Sequence, residues 1–324
     1  MNGYSLRNRL FYTVKPVIPR RVQLFVRRKV AASVRKKYAH IWPIDPNSAL
    51  VPKGWLGWPY SKHFALVLSH DVDTRKGYNS VLKLAELEEQ LGFRSQFNFV
   101  PERYGKVQMS LLNELKSRGF GIGVHGLKHD GKLFSSRGAF SERVTRINAY
   151  LKEWDCKGFT TPSMIRNHEW MHELNMDFCI STFDTDPFEP QSDGSGTIFP
   201  YWVENNSSNR RFLELPYTLV QDFTLFVILG EKNIALWKKK LDWIAFKEGM
   251  ALLNSHPDWM NFNASKCGLD EYPMHFYKEF LNYAKQRYGE QYWPTLPSEV
   301  SDFFKARLNG IERYNSLVKK PFTG

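Results

Sequence analysis

Four apolar runs, far apart in the chain, each end in residues of the acid-base or metal-binding type. Phe64 to Leu68 leads into Ser69-His70-Asp71-Val72-Asp73, and Phe120 to Val124 into His125-Gly126-Leu127-Lys128-His129. Phe178 to Phe183 leads into Asp184-Thr185-Asp186, and Met250 to Leu253 into Asn254-Ser255-His256-Pro257-Asp258. Short apolar runs of this kind read as buried strands. Open α/β sheets and β/α barrels assemble their chemistry where strands end, so four such endings predict one shared site. Two carboxylates and three histidines gathered there suggest a metal-dependent hydrolase.

The remaining pattern supplies the fold. Gln96 to Val100, Gly158 to Thr160 and Phe212 to Leu215 add three strand-like runs, for seven in all. Helical periods lie between several of them: Val81, Leu84, Leu87 and Leu91; Leu111, Leu112 and Leu115; Val144, Ile147 and Leu151. Gly92 and Gly119 fall where helix C-caps belong, each followed by the next strand. The alternation predicts a parallel, barrel-like α/β domain over residues 44–300, with a basic arm over 1–43 and a tail over 301–324. Asn233 to Lys247 and Met274 to Tyr288 read as further amphipathic helices. The stretch Asp186 to Arg211, with its Pro, Gly, Ser and Asn content, reads as a long loop at the strand ends. Its aromatic residues Phe188, Phe199, Tyr201 and Trp202 could stack on sugar rings or simply pin the loop to the barrel.

The order of the motifs resembles the polysaccharide deacetylase (NodB-homology, carbohydrate esterase family 4-like) superfamily, from about Phe64 to about His256. The resemblance implies a distorted seven-stranded (β/α) barrel. In the Asp-x-Asp variant of that family, Asp71 corresponds to the catalytic base and Asp73 to a metal ligand. His125 and His129 correspond to the His-x-x-x-His ligand pair, and His256 to the catalytic acid of the late-strand element. One family feature is missing: an arginine normally pairs with the base aspartate, and Phe159-Thr160-Thr161-Pro162 has threonine there. Thr160, Thr161, or one of Arg75, Arg94 and Arg166 would have to support Asp71 instead.

The implied reaction suits these residue types. A divalent metal at Asp73, His125 and His129, zinc foremost with iron, cobalt or nickel also compatible, polarises an amide carbonyl and acidifies water. Asp71 takes the proton from the attacking water, and His256 protonates the departing amine. Asp184 or Asp186 is the expected partner holding His256 protonated. Trp202 and Trp259 are the expected sugar-contacting aromatics. The expected activity is removal of N-acetyl, or O-acetyl, groups from a carbohydrate in surface polysaccharide synthesis, such as an O-antigen or exopolysaccharide. A catalytically impaired, glycan-binding relative is the alternative, on the strength of the missing arginine.

A competing motif is His168-Glu169-Trp170-Met171-His172, a literal zincin signature with Asn167 as helix cap and Glu189 as a downstream ligand. The available helix is short, and the same residues fit an amphipathic turn with Trp170, Met171 and Leu174 inward. A zinc peptidase is therefore the third reading.

Charge is unevenly placed. Of a net charge of +12, eleven arise before Ile44 (Arg7, Arg9, Lys15, Arg20, Arg21, Arg27, Arg28, Lys29, Arg35, Lys36, Lys37), where there is no acid. Leu10, Phe11, Tyr12, Val14, Val17, Ile18, Val22, Leu24, Phe25 and Val26 interleave with them. Such a stretch suits an anionic cytoplasmic membrane face. The prolines Pro16 and Pro19 would interrupt a continuous helix. No segment reads as a membrane span or signal-peptide core, and no nucleic-acid-binding motif is recognisable, so nucleic acid is not an expected partner. Three cysteines, Cys156, Cys179 and Cys267, give no disulfide framework and favour a reducing compartment. The expectation is a cytoplasmic protein, peripheral at the inner membrane face.

Overall fold

The computed structural model describes residues 18–205, 210–263 and 266–308. Arg7, Arg9 and Lys15 of the basic arm and the last residues of the tail lie outside that range. Helix α1 (Arg20–Lys37) precedes β1 (Phe64–Val72), α2 (Arg75–Leu91), β2 (Gln96–Phe99), α3 (Met109–Ser117) and β3 (Gly121–His125). Then come α4 (Arg137–Glu153), β4 (Gly158–Thr160), the single turn α5 (His168–Met171) and β5 (Phe178–Ile180). β6 (Tyr201–Asn205), β7 (Arg210–Glu214), a π-helical turn at Phe223–Ile228, α6 (Ala235–Phe246) and β8 (Met250–Ser255) follow. The chain continues through β9 (Met260–Asn261), β10 (Tyr272–Pro273), α7 (His275–Tyr288), β11 (Tyr292–Thr295) and α8 (Pro297–Leu308).

All seven expected strands are present and run parallel, in the order β8-β1-β2-β3-β4-β5-β7. Beyond β7 the chain bridges Phe183 to Tyr217 and then Leu219 to Leu253, carrying the sheet from β5 round towards β8. The result is a curled, barrel-like wall in a mixed α/β fold. β1 is buried along its whole length because β8, β2 and β11 all pair with it. Its neighbours divide by the period of two that a strand imposes. Gln96, Asn98 and Ser69 share the face of Asp71, joined by bonds from Gln96 Nε2 to Asn98 Oδ1 (2.7 Å) and from Asn98 Nδ2 to Ser69 Oγ (2.8 Å). Gly123 completes this packing, since a Cβ there would overlap the Asn98 amide.

The helices form where the periodicity places them. Val81, Leu84 and Leu87 are buried on α2, and Val144, Ile147 and Leu151 on α4. Thr74 and Ser136 cap their N-termini through side-chain oxygens, and Gly92 closes α2 in the left-handed conformation at φ 80°.

Two expectations are corrected. Tyr201–Asn205, inside the stretch read as a loop, is a strand, because β7 leaves an open edge on which these β-prone residues pair antiparallel. The boundary at residue 300 cuts through α8, whose Val300, Phe303 and Ala306 are buried. From Arg20 onward the arm packs on the barrel: α1 buries Leu24 and Ala31 against Val227 and Ile228, and Trp42 packs edge-on to Phe188 at 5.0 Å. Pro19, lacking an amide hydrogen and unable to continue a helix backwards, stands just before its first residue.

Candidate active site

Asp71 and Asp73 lie at the C-terminal end of β1, His125 ends β3, and His129 follows a turn that begins with Gly126 at φ 60°. His125 Nε2 and His129 Nε2 approach Asp73 Oδ1 at 3.3 and 3.1 Å. Among the described residues these three are the one group of His, Cys, Asp or Glu placed to hold a metal ion, with their ligand atoms within 4.8 Å of one another. Asp73 Oδ1 is buried without a hydrogen-bond donor, an arrangement that a cation would satisfy. A carboxylate with two imidazoles suits a divalent transition metal.

Second contacts fix these groups. His125 Nδ1 lies 2.6 Å from Thr160 Oγ1, whose hydroxyl lies 3.2 Å from Asp71 Oδ1. With the Nδ1 hydrogen donated to Thr160 and the hydroxyl donated to Asp71, Nε2 is left with its lone pair facing Asp73. Asp258 accepts from the Asp73 amide at 3.0 Å and from the Thr74 hydroxyl, bracing the loop that carries Asp73. Gly77 makes room for it, because a Cβ there would overlap the Asp258 carboxylate. Burial, with the nearby negative charge of Asp73, pushes the Asp258 carboxyl up to about 6.

The place of the missing arginine is filled without a cation. Asn98 Nδ2 donates to Asp71 Oδ1 at 3.0 Å, Asn254 Nδ2 to Oδ2 at 2.8 Å, and Thr160 adds its hydroxyl. The three arginines considered for the task are engaged elsewhere. Arg75 bonds the Tyr104 carbonyl, Arg94 the Phe93 and Arg118 carbonyls, and Arg166 the Met164 and Asp193 carbonyls. Thr160 is thus where the sequence put it, while Asn98 gave no motif-level signal beyond lying one strand over.

The expected partner of His256 is also corrected. His256 Nδ1 lies 2.7 Å from Asp222 Oδ1, and the His256 amide donates to Asp222 Oδ2 at 2.9 Å. Asp222 further receives the Tyr272 hydroxyl at 3.0 Å and caps the π-helical turn through Phe223. Burial by itself would disfavour the imidazolium, but the charge and hydrogen bond of Asp222, with help from Asp73 and Asp71, push His256 up to about 10. Asp184 instead pairs with Lys240 at 2.6 Å, and Asp186 accepts from Tyr217 at 2.8 Å and from the Phe188 amide. The Asp184-Thr185-Asp186 strand ending is therefore a structural ion-pair and turn element. The short stretch before Asp222, Tyr217 to Val220, makes only isolated bridges, to Phe183 at Tyr217 and to β8 at Leu219, and is not among the strand-like runs, so strand endings did not reveal it.

Of the two tryptophans, Trp259 stands beside His256, its ring 4.9 Å from that of Phe223. Trp202 is on the edge strand β6, opposite Leu213, with the Arg211 guanidinium 5.4 Å from its ring. No contact among the described residues joins it to the cluster. The zincin pair does not form a centre either. α5 is one turn long, His168 and His172 flank the Phe212 ring, and His168 Nε2 is 3.5 Å from the buried Glu214. Glu189 is bonded to Tyr217 and Gln221.

No family model matches the sequence, and no curated protein is significantly similar to it. Solved structures do match. One, described as a polysaccharide deacetylase from Mycobacterium smegmatis, is 15% identical with a TM-score of 0.58, over 80% of this chain and 96% of that one. Another, Puue allantoinase, is 16% identical with a TM-score of 0.57, over 77% and 92%. The fold is that of the polysaccharide deacetylase, NodB-type β/α barrel.

Proposed function

We propose that this protein is a metal-dependent hydrolase that removes acetyl groups, foremost N-acetyl, from a carbohydrate. The observation that carries this reading is the convergence of Asp71, Asp73, His125, His129 and the Asp222–His256 pair at one end of the barrel. The carbohydrate class is supported by the fold likeness. Asp73, His125 and His129 would hold a divalent cation, zinc foremost, which when bound supplies Lewis-acid polarisation of the acyl carbonyl and a more acidic water. Asp71, held at both oxygens by Asn98, Asn254 and Thr160, accepts the proton of the water that adds to the acetyl carbon. His256, charged at neutral pH, donates its Nε2 proton to the nitrogen as the C–N bond breaks, so that acetate and a neutral amine leave. Engagement of Asp71 by three donors favours catalysis over the impaired, binding-only alternative.

The test combines metal content with acetate release. Elemental analysis should find one metal per chain, lost in His125→Ala and kept in His168→Ala. The reverse would install the peptidase reading. Acetate release should be found across a panel of N- and O-acetylated glycans, with allantoin included because the second neighbour is described as an allantoinase. Asp71→Asn should keep the metal and lose on the order of a hundredfold or more in turnover. Glycan binding with no release, under several metals, would overturn the hydrolase.

A further inference from the structure

Helix α1 is docked the wrong way out for a helix that only serves the fold. Its underside is tied down by Leu24 and Ala31, by Arg20 to Asp270 at 3.0 Å, Arg28 to the Val227 carbonyl at 2.9 Å, and Arg35 to Glu231 at 2.7 Å. At 3.6 residues per turn the opposite face carries Val22, Phe25, Val26 and Val30, a continuous apolar stripe. These four side chains are 49, 62, 52 and 57% exposed. Lys29, Lys36 and Lys37 are exposed along the same outer side, and no acidic residue occurs anywhere in the helix. Among the described residues none of these three lysines forms an ion pair with an acid. A fold-serving amphipathic helix would turn its valines and phenylalanine inward; here the arginines hold them outward.

The location gives the face its meaning. Arg20 lies over Trp259 at 5.4 Å and over Phe223 at 5.5 Å, and Arg27 over Phe223 at 4.9 Å. Trp259 is three residues from His256, and Phe223 adjoins Asp222. α1 therefore runs along the rim of the candidate site.

We propose that the outer face of α1 is a docking surface for an anionic lipid bilayer. Charge complementarity selects this occupant: apolar side chains that enter the headgroup boundary are interleaved with lysines that meet lipid phosphates. Docked this way, the rim bearing Trp259 is held at headgroup level, and the carbohydrate acted on is one carried on a lipid anchor at the membrane surface. This last step rests on the deacetylase reading; the docking itself does not.

Vesicle flotation of the full chain tests the proposal. The protein should float with phosphatidylglycerol-containing vesicles at low salt, stay down with pure phosphatidylcholine, and release as salt rises. Phe25→Glu with Val26→Glu should lower partitioning about tenfold or more. Replacing Lys29, Lys36 and Lys37 by Gln should lower it on the order of a hundredfold at low salt. Both variants should keep wild-type metal content and thermal melting, which shows that the underside of α1 still holds. Absence of wild-type flotation, or flotation unchanged in the Phe25/Val26 variant, overturns the proposal. A dimer by sedimentation that the same variant dissolves, without vesicle binding, assigns the face to a second copy and also overturns it. Failure of acetate release with flotation intact would count against the hydrolase alone.

Discussion

Asp222→Asn is the most informative single change, because it removes the charge opposite His256 while keeping the volume and one of the two acceptor oxygens. Against an ordinary value of 6.5, His256 is pushed up to about 10, with burial opposing and Asp222 foremost in favour. Without the carboxylate, burial still opposes the charge and only Asp73 and Asp71 favour it, so the imidazole should titrate near its ordinary value. At pH 8 the charged fraction then falls from nearly all to about 3%, roughly a thirtyfold loss of the proton donor. The alkaline limb of activity should move down by about three pH units, with little change at pH 6. The sign of the stability effect follows from linkage. A raised pKa stabilises fully below about 6.5 and that stabilisation disappears as pH rises through about 10. Its ceiling is on the order of 5 kcal/mol. The variant should therefore melt well below wild type at pH 6 to 7, with the gap closing towards pH 10. NMR titration of the imidazole resonances, with His256→Asn to assign the signal, reads the shift without any substrate. If His256 in the variant still titrated above about 9, Asp222 would not be its electrostatic partner. If the NMR shift occurred and the alkaline limb stayed in place, His256 would not be the acid.

Two further changes test the supports of the cluster. Thr160→Val removes both the acceptor for His125 Nδ1 and a donor to Asp71, and should weaken metal binding about 10- to 100-fold by chelator competition while lowering turnover as well; unchanged affinity would mean that Thr160 does not orient His125. Gly77→Ala forces its Cβ into Asp258 and should cost about 1–3 kcal/mol in denaturant unfolding. Gly138→Ala is the control, since its nearest neighbour is 4.0 Å away, and equal destabilisation of the two would refute the overlap argument.

Strand endings and helix periods sufficed to place β1, β2, β3, β4, β5, β7 and β8, because each is a local pattern of apolar residues bounded by caps and turns. Asp73, His125 and His129 were legible for the same reason: each sits one to five residues past such a pattern. What lay beyond reach was every pairing set by residues distant in the chain. Asn98 and Asn254 reach Asp71 only because β2 and β8 flank β1, and Asp222 reaches His256 only because the segment after Tyr217 crosses to β8. The direction in which α1 faces is of this kind too. Its sequence specifies a basic helix with apolar residues on more than one side, but which side is buried is decided by Asp270, Glu231 and the Val227–Ile228 surface, the two acids lying 250 and 196 residues further along the chain than their ion-pair partners. Local chemistry is written in neighbouring residues, whereas partner choice depends on which strand lies beside which, and only the closed barrel determines that.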